Sequence, residues 1–141
     1  MPPSGEPRAA EGPPTPGALL GKAPPWPREW AQRLGHEALR RGARVEVFRH
    51  RADPGCYALR WMVGRRTAIL LEPGEAGVLA ELRVPEGRIR AALEALRPGD
   101  PFAPLLQQAP HRGGYYRLRT WLDGPRSLQS LLDLLGVVLG P

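Results

Sequence analysis

The stretch Cys56-Tyr57-Ala58-Leu59-Arg60-Trp61-Met62-Val63, followed by Gly64-Arg65-Arg66 and then Thr67-Ala68-Ile69-Leu70-Leu71, decides the fold. Each apolar segment has the length of a strand, and the separator carries turn chemistry, since Gly adopts a positive φ at no steric cost. A second separator, Pro73-Gly74-Glu75-Ala76-Gly77, leads into a third segment, Val78 to Val84. Short apolar runs divided by tight turns predict an antiparallel meander.

Alternation assigns the faces, because successive side chains of a strand point to opposite sides. Tyr57, Leu59, Trp61 and Val63 form a core face, with Cys56, Ala58, Arg60 and Met62 opposite. Val78, Ala80, Leu82 and Val84 point inward, leaving Leu79, Glu81 and Arg83 outside. Thr67 to Leu71 is apolar on both faces, as a central strand is.

Working outward, Arg44-Val45-Glu46-Val47-Phe48 alternates and predicts a strand ahead of the meander, ending at Asp53-Pro54-Gly55. Before it, Trp30, Leu34 and Ala38 repeat at helical spacing from a start at Pro27 to a stop at Gly42, with Trp26 placed to staple the entry. After it, Ile89, Ala92, Leu93 and Leu96 mark a helix over 86–96. Residues 100–114 read as a long Pro-broken loop with one helical turn at 103–108. Tyr116, Leu118, Thr120 and Leu122 then alternate with Tyr115, Arg117, Arg119 and Trp121 in a fifth strand, and Leu128, Leu131, Leu132 and Leu135 stripe a last helix. The predicted class is α+β, a mostly antiparallel five-stranded sheet with helices on one face, in the order α-β-β-β-β-α-β-α.

At 141 residues the chain fits one core of ordinary size. Nine of its 18 Pro fall in the first 27 residues, so 1–25 is expected to be a disordered Pro-rich arm and 26–141 a single α+β domain. No run of about 18 apolar residues occurs, so no membrane span is expected. The one cysteine, Cys56, allows no internal disulfide and suits a reducing cytoplasm. Of the 20 basic residues, 19 are Arg, and the net charge is +6. Arginine offers flat, bidentate anion-binding groups. The codon usage of a GC-rich genome also explains it, since Asn is absent and Ile occurs only at 69 and 89.

From Trp30 onward the layout resembles a group of small bacterial α+β domains, similar in architecture to the YjbR-like and frataxin-like proteins. The residues that carry it are Trp30 and Leu34, Tyr57-Ala58-Leu59-Arg60, Arg66 to Pro73, and Tyr116-Arg117-Leu118-Arg119 before Ser127-Leu128 and Leu131-Leu132. These are core patterns, so the resemblance implies a fold and brings no catalytic residues. The acidic iron-binding edge of frataxin-like proteins has no counterpart here.

No cluster has the spacing of a metal site, a nucleophile triad or a phosphate loop. His50, Asp53 and Cys56 lie three apart, but a structural zinc needs four ligands, and no metal or cofactor is expected. Cys56 as a nucleophile would need a base such as His36 or His111, and a lone strand Cys is more often a small buried residue. Glu72, Glu75 and Glu81 read as solvated charges near turns and on an outer face. The remaining candidate is the outward sheet face. Arg60, Arg83, Arg117 and Arg119 interleave there with Tyr115 and Trp121, and Arg65 and Arg66 lie at a nearby turn. Such a face holds phosphates and stacks bases. It equally describes the polar, solvated side of an ordinary sheet. The expectation is therefore a soluble, non-catalytic binding or interaction domain whose partner the sequence leaves unknown, a protein or a single-stranded nucleic acid being the candidates. Single-stranded nucleic acid or another polyanion is the first alternative, and a small enzyme using Cys56 or His111 the second.

Overall fold

The structure is a computed structural model that describes residues 14–49 and 57–139. Strands β1 (Arg44–Arg49), β2 (Tyr57–Val63), β3 (Arg66–Gly74), β4 (Gly77–Pro85), β5 (His111–Arg112) and β6 (Tyr115–Trp121) form one sheet in the order β1-β2-β3-β4-β6-β5. Every pairing is antiparallel. Five helices accompany it: α1 (Pro16–Leu20), α2 (Pro25–Arg40), α3 (Ile89–Ala95), α4 (Phe102–Gln107) and α5 (Pro125–Val138). The α+β class and the meander are as expected from the alternation.

Two differences have local causes. The sixth strand, β5, is two residues long and too short to show a period. It pairs with β6 across Gly113 and Gly114, whose φ angles of 62° and 85° close a hairpin that a side chain would strain. The helical turn expected within the long loop is present as α4, which buries Phe102 and Leu106 despite Pro104. Finally, structure reaches further toward the N-terminus than expected. Pro16–Leu20 is helical, Thr15 Oγ1 accepts the Ala18 N–H at 3.1 Å, and Leu19, Leu20 and Ala23 are buried. The arm reading therefore fails for 16–23, while 1–13 lie outside the described residues.

The core is a single cluster. Leu59, Trp61, Ile69, Leu71, Ala80, Leu82, Val84 and Leu118 from one face of the sheet meet Leu34, Ala38, Leu106, Leu128, Leu131 and Leu135 from the helices. Helix α2 comes close enough to the sheet that Gly35 faces the Trp61 ring. Trp26, expected to staple the entry of α2, is instead 68% exposed, because α2 starts at Pro25 and carries it on the outside of the first turn.

One irregularity decides a side-chain assignment. Trp61 pairs with Ile69 but Met62 pairs with Thr67, so Ala68 is an extra residue in β3, a β-bulge. Ala68 is fully buried in the helix-side core. Arg66, opposite Val63, also comes to the helix side, where its Nη2 donates to Val138 O at 2.6 Å.

Candidate functional site

The face of the sheet away from the helices is built by cross-strand neighbours. From β1 to β6, Glu46 faces Arg60, Arg60 faces Leu70, Leu70 faces Glu81 and Glu81 faces Arg119. One step along, Arg83 faces Arg117, and at the end Leu79 faces Trp121. Ala58, Met62 and Leu70 are buried here although they lie outside the helix-side cluster. Long arginine stems beside them cover apolar surface while the charged ends reach for carboxylates.

Most of the guanidinium groups are already neutralised. Arg60 donates through Nε to Glu46 Oε1 at 2.9 Å, makes a second contact to the same oxygen through Nη2, and lies over the Phe48 ring at 4.6 Å. Arg83 Nε donates to Glu81 Oε2 at 2.9 Å. Arg119 is held more loosely, 3.7 Å from Glu72 and 3.8 Å from Glu81. Glu81 was expected to be a solvated charge. It is only 8% exposed, because Arg83 and Arg119 close over it.

The remaining cations gather at the β5–β6 end. Arg117 has its Nε buried with no hydrogen-bond partner, and among the described residues neither Arg112 nor Arg117 has a carboxylate partner. Together with Arg119, Glu81, Pro110 and His111 they line a groove of about 540 Å³. Three guanidinium groups there face one carboxylate. The imidazole of His111 stacks on Tyr116 with ring centres 4.5 Å apart, and its Nε2 lies 2.6 Å from Glu86 Oε2. Both members of that pair are substantially exposed, 43% and 59%, so it anchors the hairpin to the turn after β4 without the desolvation that strengthens a catalytic pair.

Of the residues singled out from the sequence, Arg60, Arg83, Tyr115, Arg117, Arg119 and Trp121 share this face, and Trp121 is 48% exposed. Arg65 sits exposed at the β2–β3 turn. Arg66 serves the opposite side. It and Arg88, whose Nη1 donates to Val137 O at 2.8 Å, satisfy carbonyls at the C-terminal end of α5 and complement the negative end of its dipole. Arg112 belongs to the groove and was missed, because a two-residue strand leaves no periodic trace. His50, Asp53 and Cys56 lie outside the described residues. Arg66→Ala is expected to lower stability by about 1.5 kcal/mol or more, the worth of a charge-assisted hydrogen bond. Arg65→Ala should stay within about 0.5 kcal/mol, as surface substitutions do. Urea unfolding of the two variants checks this, and equal midpoints would rule out the capping role.

No family model matches the chain, and neither does any curated protein or solved structure. The chemistry of the groove is thus the guide to function.

Proposed function

We propose that the protein is a non-catalytic binding domain that presents the β5–β6 end of its outer sheet face to an anionic partner. The observation that carries this reading is the grouping of Arg112 and Arg117, neither with a carboxylate partner among the described residues, beside the loosely held Arg119 around one groove. An anion entering there replaces long ion pairs with short charge-assisted bonds and satisfies the buried Arg117 Nε. The rest of the face is charge-compensated, so it supplies shape and apolar contact rather than attraction. The reading places the protein in the cytoplasm, the compartment that suits a chain with one cysteine.

Within this class the first reading is a protein partner with acidic residues. Single-stranded nucleic acid is the second, favoured by Trp121, whose half-exposed ring lies two residues from Arg119 on the same face and offers a stacking surface. A Trp fluorescence titration with a mixed-sequence single strand at low and moderate salt separates the two. If a base stacks on it, Trp121→Ala costs about 1–3 kcal/mol of binding. Two engaged cations, Arg112 and Arg117, give a shallow salt slope of about −0.7 per neutralised phosphate. Absence of binding at low salt retires the nucleic-acid reading, and failure of acidic peptides as well retires the anionic partner altogether. The enzyme alternative would rest on Cys56 or His111, and a turnover that His111→Ala abolishes would favour it over the reading proposed.

A further inference from the structure

A strand directs the backbone groups of alternate residues to alternate sides. In β6 the N–H of Leu122 donates to Val78 O of the β4 side at 2.9 Å, whereas that of Arg117 donates outward to Pro110 O at 2.9 Å. The backbones of residues 117, 119 and 121 therefore point away from β4. β5 pairs only with Tyr115 and Tyr116. Beyond Arg117 the outward N–H and C=O of Arg119 and the N–H of Trp121 have no strand beside them among the described residues.

A second groove, ≈ 260 Å³, runs along this edge. Leu105, Ala109, Pro110 and Leu118 give it an apolar wall on the α4 side, and Arg117 and Arg119 a cationic one on the outer face. Leu105 is 47% exposed at its rim. Exposed edges are usually blunted by charge, proline or bulges. Here the charge is supplied by Arg117 and Arg119, which repel a basic strand and attract an acidic one.

We propose that the β6 edge from Arg117 to Trp121 accepts an extended acidic segment of another protein as an added strand. Successive side chains of an added strand fall on opposite faces. Those turned toward α4 meet Leu105 and Ala109 and must be apolar, while those turned outward meet Arg117, Arg119 and the Arg112 side of the groove and must be acidic. The segment recognised is thus one that alternates acidic and apolar residues. This rests on the binding reading above and adds the mode and the partner's pattern. A nucleic acid carries no ladder of amides and cannot use the edge in this way.

The test is fluorescence anisotropy with the full chain and a labelled peptide of about ten residues, a generous strand length, alternating aspartate and leucine. A second peptide is N-methylated at every other amide, keeping charge and apolar groups while removing the donors that face β6. The unmodified peptide is expected to bind about tenfold or more tightly than the methylated one. Arg119→Ala weakens binding but keeps the difference between the peptides. Arg119→Pro, tolerable at an edge because the N–H it removes has no internal partner, abolishes it. Hydrogen exchange at the Arg119 and Trp121 amides should slow when the unmodified peptide is bound, a readout that does not depend on any variant folding. Equal affinity for the two peptides, or unchanged exchange at those amides, overturns the proposal. So does a homodimer that Arg119→Pro dissociates and that excludes the peptide, since a second copy would then own the edge. Binding of a single strand with no binding of either peptide overturns strand addition while leaving the anionic-partner reading standing, and failure of all three ligands overturns both.

Discussion

Leu19→Ala is expected to lower the unfolding free energy by about 2–5 kcal/mol, the range for removing a fully buried leucine side chain. Leu19 is 1% exposed, yet it belongs to α1, a helix of five residues that has no stability of its own. Its place is held by docking. α1 packs against α2, β2 and β3, and Arg28 from α2 ties down the following turn by donating through Nη2 to Ala23 O at 2.8 Å and Gly21 O at 3.3 Å. Urea titration of Leu19→Ala beside Leu105→Ala, a residue nearly half exposed, makes the comparison. Similar midpoints for the two would mean that α1 is not docked in solution.

The second large effect is expected at Gly35. A Cβ at this position would stand 2.5 Å from Cζ2 and 3.1 Å from Cε2 of Trp61. The obstacle is a rigid ring, 4% exposed and packed in the core, so it cannot yield as the tip of a flexible side chain would. Replacing a mid-helix glycine ordinarily stabilises by up to about 1 kcal/mol. Overpacking costs about 1–3 kcal/mol, so Gly35→Ala is expected to be net destabilising, and Gly35→Val, which adds β-branching, to lose about 3 kcal/mol. Loss of near-ultraviolet circular dichroism from the displaced indole should accompany it. A variant more stable than the parent would show that the helix can lift away from the sheet without penalty.

The part of the fold legible in the sequence is the part governed by period. Val78, Ala80, Leu82 and Val84 alternate with Leu79, Glu81 and Arg83, and the first set is fully buried in the core. Of the stripe Leu128, Leu131, Leu132 and Leu135, all but the partly buried Leu132 belong to the buried face of α5. What stayed hidden lacks a period. α1 offers only the pair Leu19-Leu20 among prolines, and β5 offers two residues. Pairings between strands were hidden too. Glu46 and Arg60 both point outward by alternation, but only the register reveals that they meet, and with them the neutralised centre of the candidate face. Outward position therefore identified the arginines, and register decided which of them remain available. Arg66 shows the limit most plainly. Counting back from Leu70 by twos puts it on the outer face, while the bulge at Ala68 turns it to the end of α5.

That bulge has a consequence for how the length of this chain can vary. In a strand buried on both sides, losing one residue turns everything before it inside out. At Ala68 the rule is suspended, because the residue is already surplus to the ladder: Met62 pairs with Thr67 and Trp61 with Ile69 whether or not anything stands between them. A chain shortened by that one codon keeps Thr67 beside Met62 and Arg66 against the last turn of α5. Its loss falls on the twist that a bulge adds and on one methyl of buried packing. Loss of Leu70 or Leu71 instead removes a buried leucine and, once the bulge has absorbed the missing residue, moves Ile69 from the core to the outer face. Position 68 is thus where β3 tolerates a change of length without a change of sides, and where an insertion or deletion separates this sequence least from its fold.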